Sequence, residues 1–384
     1  MASASPLIEV SGTPRQRGHD HGRQAAGRIR LGIGHYADQL RRSAFEPRHL
    51  QAAVAQYLPS IEAFDPDYVE EMRGIAQGAG VAFDEIVLLN ARTEVLRIAE
   101  RQARGLAGFR DPEPDGCTGA VALPQATKHG QLIHAQNWDW KAECADTTVV
   151  LKVRREHGPD VLTFTEAGAL ARSGFNSVGI SITANYLECE RDYRTLGVPL
   201  ALIRRKVLEQ EHLALAMHAV YTTAKSGSNN MIVGHAQGVA IDFECAPDET
   251  FLVQADKGLI VHANHWQSPV ALCKLKDTGV ASTPDSLYRE LRVREALLAH
   301  VGALTPEHFK QALFDDFAAP WSVCRPPRQS LSSNLSATVA MIVMQPALGV
   351  MEVAMLPALD PSFITYALTS SFRTLGSSRT APER

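Results

Sequence analysis

Helix-like and strand-like segments are grouped in this sequence rather than alternating along it, and this grouping restricts the folds that the chain can adopt. The first hundred residues predict three helices, over 13–43, 65–77 and about 83–103. Residues 105–116 then read GLAGFRDPEPDG, a composition typical of a surface loop. Strands predominate after this loop. Such grouping indicates an α+β layered sandwich with a helical N-terminal segment and argues against alternating βαβ units.

Short runs rich in β-formers follow residue 116, and the first two flank the turn-like segment PQATKHG, which predicts a hairpin with a long loop. The predicted strands are 117–123, 131–140, 149–153, 161–165, 179–184, 230–234, 239–244, 250–255, 259–261, 336–344 and 350–356. The predicted helices in this part are 197–210, 211–225, 285–300 and one that begins at Thr305-Pro306.

The composition predicts a packed globular protein without a nucleic-acid or membrane partner. Hydrophobic residues make up 45% of the 384 residues, and the formal net charge is only −4. The first residues lack a basic segment followed by an apolar one, so no secretory signal is expected. The longest apolar stretch, 337–356, is interrupted by Pro346 and Gly349 and does not suit a membrane span. A cytoplasmic location is the expectation.

The six cysteines are sparse and scattered, and no CxxC pair occurs. Neither a disulfide framework nor a structural zinc site is therefore expected. His134, His262 and His265 lack a carboxylate or thiol at ligand spacing. We predict no metal and no cofactor.

Cys117 lies where the proposed loop meets the first strand of the predicted hairpin. If the turn is centred near Thr127, Asn137 faces Cys117 across the hairpin and Asp139 is its diagonal neighbour on the same face. Diagonal pairs lie within roughly 7–8 Å, so a thiol, an amide and a carboxylate would meet there. On spacing alone, a small buried hydrophobic cysteine is an equally good interpretation.

The segment DGCTGAVALP…GQLIHAQNWDW resembles the processing site of the acyl-coenzyme A:6-aminopenicillanic acid acyltransferase family, a branch of the N-terminal-nucleophile (Ntn) hydrolases. Weaker resemblances follow in the family's order in GFNSVGISITANYL, GVPLALIRRKVLE, SGSNNMIVGHAQGVAIDFECAP, VHANHW and SVCRPP. The resemblance covers about residues 10–356. It implies a four-layer αββα sandwich and self-cleavage between Gly116 and Cys117. The products would be chains 1–116 and 117–384, which together form one globular unit.

The resemblance also implies that Cys117 becomes an N-terminal nucleophile. An α-amine has a reference pKa of about 7.7–8.0 and a thiol one of about 8.5, so the new amine can serve as the base for its own side chain. Asp139 would then hydrogen-bond this amine. Asn264, in the family's His-x-Asn-His segment, is the candidate oxyanion donor.

Three further residues are substrate or oxyanion candidates. Asn185 lies at the end of a strand that should neighbour the hairpin, and Asn137 is the amide predicted to face the thiol. Arg325 either binds a substrate carboxylate or pairs with a surface acid.

The expected activity is cleavage of an N-acyl amide or acyl thioester through an S-acyl-cysteine, with water giving hydrolysis. The family implies acyl transfer to an amine from acyl-CoA as the alternative, although no phosphate-binding glycine loop independently supports CoA. The partners would be a small-molecule substrate and the chain's own cleaved N-terminal part. An unprocessed binding module of the same fold is a second alternative. A papain-like enzyme is a third, but it needs its cysteine at the start of a helix, and TGAVALP is a poor helix.

Overall fold

A computed structural model describes residues 4–103, 116–329 and 335–369. The helices in these ranges are α1 Pro14–Arg42, α2 Pro47–Phe64, α3 Pro66–Ala79, α4 Phe83–Asn90, α5 Arg92–Ala103, α6 Leu200–Leu208, α7 Leu213–Thr222, α8 Pro269–Lys274, α9 Asp285–Leu298 and α10 Pro306–Leu313. The strands are β1 Leu7–Val10, β2 Gly116–Ala122, β3 Ile133–Lys141, β4 Thr148–Val153, β5 Val161–Glu166, β6 Ser173–Asn176, β7 Ile180–Tyr186, β8 Asn229–His235, β9 Val239–Cys245, β10 Thr250–Gln254, β11 Leu259–His262, β12 Arg328–Gln329, β13 Leu335–Gln345, β14 Val350–Met355 and β15 Ile364–Ala367.

The strands form two sheets that pack face to face. The first has the order β1-β4-β5-β6-β7-β8-β9-β10 and is antiparallel except for the β1–β4 pair. The second has the order β11-β2-β3-β13-β14-β15, with β12 paired to β13. Helices α1, α6 and α7 cover the outer side of the first sheet, and α9 and α10 cover that of the second. The predicted α+β class and the four-layer αββα sandwich are both confirmed.

The central strands of each sheet are buried on both faces, as alternation along β2 illustrates. Ala120 and Ala122 pack in the apolar cluster beneath α9 and α10. Val121 points the other way and packs with Ile232 of the first sheet. Side chains along β2 therefore alternate between the helix layer and the space between the sheets.

The N-terminal helices pack closely because α1 and α3 carry glycines where they cross. A Cβ at Gly18 would lie 2.0 Å from the carbonyl oxygen of Glu71, and one at Gly74 would lie 2.3 Å from that of Arg15. Neither position has room for a side chain.

The predicted helices differ from the observed ones in two respects. The predictions include neither α2, which contains Pro59, nor the short α8. The helix predicted over 83–103 is divided at Ala91 into α4 and α5. The Asn90 side chain donates to the carbonyl of Gly168 and accepts from the N–H of Leu170. These hydrogen bonds hold the junction between α4 and α5 against the turn after β5. Across the described ranges, no helix combines the length and apolarity that a bilayer crossing requires.

Candidate active site

The register of the β2–β3 hairpin differs by one residue from the prediction. Cys117 pairs with Trp138, Thr118 pairs with Asn137, and Gly116 pairs with Asp139. The connection between the strands contains a 3₁₀ turn, Pro124–Ala126, and places the hairpin centre between two residues instead of on one. The prediction that Asn137 faces Cys117 is therefore wrong.

This shift separates the three predicted groups, because a one-residue slip moves a side chain to the opposite face of a strand. Asn137 and Asp139 lie on the face toward the helix layer. Cys117 and Trp138 lie on the face between the two sheets. The thiol, the amide and the carboxylate are thus not on one face of the hairpin.

The backbone of Cys117 is nevertheless held by Asn264, which was predicted at this site, and by Arg289, which was not. The backbone N–H of Cys117 donates to Oδ1 of Asn264 at 2.9 Å. Its carbonyl oxygen accepts from Nη1 of Arg289 at 2.8 Å. Cys117 itself is 1% exposed. Hydrogen bonds on both sides of the cysteine therefore fix its backbone at the start of β2.

The orientation of the Asn264 amide follows from its partners. Nη2 of Arg289 donates to the same oxygen as Cys117 does, at 2.9 Å, while Nδ2 of Asn264 donates to the carbonyl of Tyr186 at 2.8 Å. Two donors on one side and an acceptor on the other allow only this orientation. In the uncut chain the Asn264 amide thus presents its oxygen to Cys117, and the predicted oxyanion N–H is directed away.

Asp139 lies beside the same peptide bond. Its Oδ1 accepts from the hydroxyl of Thr338 at 2.6 Å, and its Oδ2 is 3.4 Å from Nε of Arg325. A Cβ built on Gly116 would lie 2.9 Å from Oδ2 of Asp139. The carboxylate is therefore next to Gly116, on the helix-side face.

Arg325 extends this contact into a buried charge network. It forms an ion pair with Asp285, and Asp285 accepts from Nε of Arg289 at 2.8 Å. Burial alone would raise the pKa of Asp285, but the two guanidiniums lower it below its usual value. Arg325 is 1% exposed and pairs with internal carboxylates, so the predicted pairing with a surface acid is wrong.

The other two asparagine candidates have their amide hydrogens committed to backbone carbonyls. Nδ2 of Asn137 donates to Leu313 and Val323, and Nδ2 of Asn185 donates to His262 and Ala263. The oxyanion role predicted for Asn137 is wrong, because its side chain lies on the face opposite Cys117. Asn185 lies between the two sheets, on the same side of the hairpin as Cys117. Its hydrogen bonds connect β7 to the segment that carries Asn264.

Two residues at the site were not found from the sequence. Arg289 was detectable in principle, because it lies on the buried α9 stripe with Val293 and Leu297, where a charged residue needs a specific partner. Arg172, whose Nη2 is 3.7 Å from Sγ of Cys117, follows the turn after β5 and gives no such signal.

One buried histidine, His262, and two buried acids, Asp242 and Glu244, support the segment that carries Asn264. Nε2 of His262 is 2.8 Å from Oε1 of Glu244, and its Nδ1 is 3.0 Å from the carbonyl of Ala263, so both ring nitrogens face acceptors. Burial opposes protonation, but Asp242 and Glu244 outweigh it and raise the pKa of His262 to about 9. Glu244 also accepts the N–H of Ser268 at 3.0 Å. The imidazolium and its acids thereby hold residues 262–268 in place.

The three histidines considered for a metal are engaged elsewhere. His134 lies between the hydroxyls of Ser181 and Thr183, and His265 lies against Ser286. Burial lowers the pKa of His134 to about 3. Within 4–103, 116–329 and 335–369, no three His, Cys, Asp or Glu residues are grouped as metal ligands.

A four-layer αββα sandwich with a cysteine at the start of a strand is the architecture of the Ntn hydrolases. The family model for acyl-coenzyme A:6-aminopenicillanic acid acyltransferase matches residues 126–355. This span includes Asp139, Asn264 and Arg325, whereas Gly116 and Cys117 precede it.

The chain is also similar to individual proteins. The 40 kDa form of acyl-coenzyme A:6-aminopenicillanic-acid acyltransferase from Emericella nidulans is 31% identical over 335 residues, which cover 85% of this chain and 86% of the relative. The N-acylethanolamine-hydrolyzing acid amidase of Caenorhabditis elegans is 25% identical over 58% of each chain. A solved variant of the conjugated bile acid hydrolase from Clostridium perfringens has a TM-score of 0.48 and 12% identity, over 65% of this chain and 92% of that one. The chain belongs to the acyl-coenzyme A:6-aminopenicillanic acid acyltransferase family.

Proposed function

We propose that this chain is a self-activating N-terminal-cysteine enzyme that cleaves N-acyl amides through an S-acyl-Cys117 intermediate. The observation that carries the proposal is the Gly116–Cys117 peptide, whose nitrogen is hydrogen-bonded to Asn264 and whose glycine lies against Asp139. A glycine before the cysteine leaves the scissile carbonyl unshielded.

Self-cleavage would proceed by an N-to-S shift. The Cys117 thiol adds to the carbonyl carbon of Gly116, the C–N bond breaks, and the thiol proton ends on the departing nitrogen. Water then hydrolyses the thioester, which leaves a Gly116 carboxylate and a Cys117 residue with a free α-amine and thiol. Asn264 Oδ1 accepts from this nitrogen before the cut and can accept from the amine afterwards. Asp139 would supply the negative charge that keeps the amine in place.

The mature enzyme would repeat the same chemistry on a substrate. The Cys117 thiol, with the α-amine as base, attacks an acyl carbonyl and expels an amine, and water then releases the acid. The C. elegans relative, named for hydrolysis of N-acylethanolamines, supports this outcome.

Acyl transfer is the second candidate, because the E. nidulans relative is named an acyltransferase. An amine would replace water in the second step, with an amide or acyl-CoA as the acyl donor. Incubation with N-acyl amides and with acyl-CoA, each with and without an amine acceptor, distinguishes the two. Faster consumption of the CoA thioester than of the amide would reverse our order.

Intact-mass measurement of purified protein tests the central step. We expect chains of 116 and 268 residues from the wild type and one uncut chain without turnover from Cys117→Ala. Cys117→Ser should cleave slowly, since a hydroxyl can undergo the same shift. Cys273→Ala, which removes an exposed cysteine, is the matched control and should process normally. Cleavage of Cys117→Ala would rule out the mechanism, and an uncut but active wild type would favour an unprocessed enzyme.

A further inference from the structure

Helix α5 borders two regions that differ in charge. Arg92, at the start of the helix, lies close to Arg172 and to Arg204 of α6. The end of the helix lines a second cavity, together with the end of β7, the segment after it and the segment before α9. This cavity encloses about 690 Å³ of space not filled by atoms, open solvent at its mouth included. We call it the acidic cavity.

Negative charge is in excess in the acidic cavity. Arg97 serves two carboxylates, because its Nη1 donates to Glu100 at 2.8 Å and its Nη2 lies 3.5 Å from Oε1 of Glu188. Arg101 donates to a backbone carbonyl, that of Asp192, at 2.7 Å. The charged residues that line the cavity are Arg97, Glu100, Arg101, Glu188, Glu190 and Asp192. Its carboxyl groups therefore outnumber its guanidiniums.

Asp192 shows this excess most clearly. It is 3% exposed, and its carboxylate accepts from the N–H and hydroxyl of Ser228 and from the N–H of Cys189. Among the described residues it forms no ion pair, and burial raises the pKa of its carboxyl to about 6. A buried carboxylate without a cation is costly, and a bound cation would lower that cost.

An unused hydrogen-bond acceptor lies next to the same cavity. Asn229 faces Tyr186 across the β7–β8 pair, so both side chains lie on one face of the sheet. Oδ1 of Asn229 is buried and accepts from no donor in the described ranges, while its Nδ2 donates to the carbonyl of Gly227. A Cβ at Gly227 would lie 2.7 Å from the hydroxyl oxygen of Tyr193, which lines the cavity as Tyr186 does. A ligand that carries N–H groups would satisfy this acceptor.

The wall of the acidic cavity is joined to the proposed nucleophile through its backbone nitrogen. Asn264 accepts the N–H of Cys117, and its Nδ2 donates to the carbonyl of Tyr186 at 2.8 Å. The indole N–H of Trp266, two residues further along the chain, donates to the carbonyl of Glu188 at 2.9 Å. The cavity therefore lies on the side of Cys117 where its nitrogen is held.

We propose that the acidic cavity binds a protonated amine at the far end of the departing group, so that the preferred substrates are N-acyl derivatives of aliphatic diamines. This inference rests on the proposed function, in which the Cys117 α-amine takes the thiol proton and passes it to the departing nitrogen. The departing nitrogen must then lie beside the α-amine, on the Asn264 side of the cysteine. The reaction consumes an N-acyl diamine and water and releases a carboxylic acid and a diamine.

Glu188 is the carboxylate best placed to hold the distal ammonium. Its backbone is fixed by Trp266, close to Asn264, and its side chain is 21% exposed, so a ligand can reach it. An ammonium donates strong hydrogen bonds to a carboxylate. Asp192 would add to the attraction from inside the wall.

Matched substrate series test this proposal. One acyl group that the enzyme accepts is attached to the terminal diamines of propane, butane and pentane, and to the amino alcohols of the same lengths, in which a hydroxyl replaces the ammonium. We expect the wild type to hydrolyse at least one diamine amide with a kcat/KM about tenfold above that of its amino-alcohol partner. Equal values in all of these pairs would overturn the proposal.

Variants of Glu188 locate the effect in the acidic cavity. Glu188→Gln keeps the size of the side chain and removes its charge, so it should lower the ratio of the two kcat/KM values about fivefold or more, mainly through KM. Glu188→Asp should lower the ratio less. Glu70→Gln, at an exposed carboxylate that pairs with Arg15, is the matched control and should keep the ratio. A wild-type ratio in Glu188→Gln would contradict the placement of the ammonium in this cavity.

A binding measurement separates this proposal from the proposed function. Each free diamine is compared with the diol of the same length at one ionic strength, and at least one diamine should raise the Tm of the wild type and of Cys117→Ala above the value with its diol. If the wild type is uncut and inactive but a diamine still stabilises it, the cation site in the acidic cavity stands and the proposed function fails. If the wild type processes itself and hydrolyses neutral amides, but diamines and diols have the same effect on Tm, the cation site is refuted and the proposed function stands. Because these arms use the wild type, they remain decisive even if Glu188→Gln does not fold.

Discussion

The two faces of the β2–β3 hairpin carry buried arginines that differ in whether they form ion pairs with carboxylates. On the helix side, Arg325 and Arg289 alternate with Asp139 and Asp285 in a chain of ion pairs. On the side between the sheets, Arg172 lies next to the Cys117 thiol without a carboxylate partner in the described ranges. The charges of the first arrangement are paired within the protein itself, whereas the second lacks an anion.

This difference indicates that the helix-side face of the hairpin is the scaffold, which holds the reacting backbone. The face between the sheets is the site, which is available to a substrate. A network of paired charges has no excess charge to offer a ligand, but it can fix the backbone of the residue that reacts. Arg289 does so directly through the carbonyl of Cys117. Donors left without partners beside the thiol have the opposite property, since they are available to a substrate.

The largest expected difference between the faces is in stability. Arg289→Met removes one of the donors to Asp285, one of the donors to the oxygen of Asn264, and the guanidinium that holds the carbonyl of Cys117, so we expect a loss of about 3–5 kcal/mol in the free energy of unfolding. Arg204→Met removes a buried cation that has no acidic partner in the described chain, and should change stability by less than about 1 kcal/mol or increase it.

Urea unfolding of both variants without added anions measures the two effects. Similar losses from Arg289→Met and Arg204→Met would contradict the assignment of scaffold and site.

The next effect concerns processing. Asp139→Asn keeps the shape of the side chain but removes the charge beside Gly116, so we expect self-cleavage about 10²–10³-fold slower. A time course by denaturing electrophoresis measures this rate. Asp160→Asn, at a carboxylate that pairs with the exposed Arg154, is the control. Cleavage of Asp139→Asn at the wild-type rate would remove Asp139 from the mechanism.

A third effect is a pH dependence of stability from His262. Its pKa is about 9 in the folded chain and about 6.5 in an unfolded one, so the proton favours folding. This contribution, at most about 3 kcal/mol, is complete below pH 6.5 and is lost as the pH rises through 9. His262→Gln should abolish the decline that urea unfolding detects in the wild type between pH 6.5 and 9.

His134→Gln is the matched control for this effect. The pKa of His134 is about 3, so its contribution is lost only as the pH falls below 6.5, and the decline above pH 6.5 should persist in that variant. A wild-type stability that does not change between pH 6.5 and 9 would contradict the charged state of His262.

The general architecture was predictable from the sequence, because alternation and turn residues act locally. The grouping of strands and helices predicted a layered α+β sandwich, and the family resemblance implied its two sheets. The resemblance also assigned Asn264 to the site, and in the structure its Oδ1 lies 2.9 Å from the backbone nitrogen of Cys117. The orientation of that amide was not predictable. It depends on Arg289 and Tyr186, which are distant in the sequence and meet only in the folded chain.

The hairpin register shows why the faces were misassigned. Strand alternation assigns side chains to faces only after the pairing is known, and pairing depends on the loop between the strands. The 3₁₀ turn at Pro124–Ala126 shifts the centre of the hairpin by half a residue. That small change places Asp139 opposite Gly116 instead of beside the Cys117 side chain.

The smallest expected effect compares two glycines of β2 that lie on opposite faces. A Cβ at Gly116 would lie 2.8 Å from Nη1 of Arg325 and 2.9 Å from Oδ2 of Asp139, inside the paired network. A Cβ at Gly119 would meet the end of the Ile232 side chain first, at 3.3 Å. Gly116→Ala should therefore lower the free energy of unfolding by about 1–3 kcal/mol, and Gly119→Ala by much less.

Both glycine variants are best measured in the Cys117→Ala background, where self-cleavage does not complicate urea unfolding. The helix-side network is tightly packed and charged, so it cannot move aside without separating Arg325 from Asp139, whereas the Ile232 side chain can change rotamer. Equal losses at the two positions would mean that the network is more compliant than its contacts indicate. A larger loss at Gly119 would place the rigid face of the hairpin on the side of the thiol, and the assignment of scaffold and site would have to be reversed.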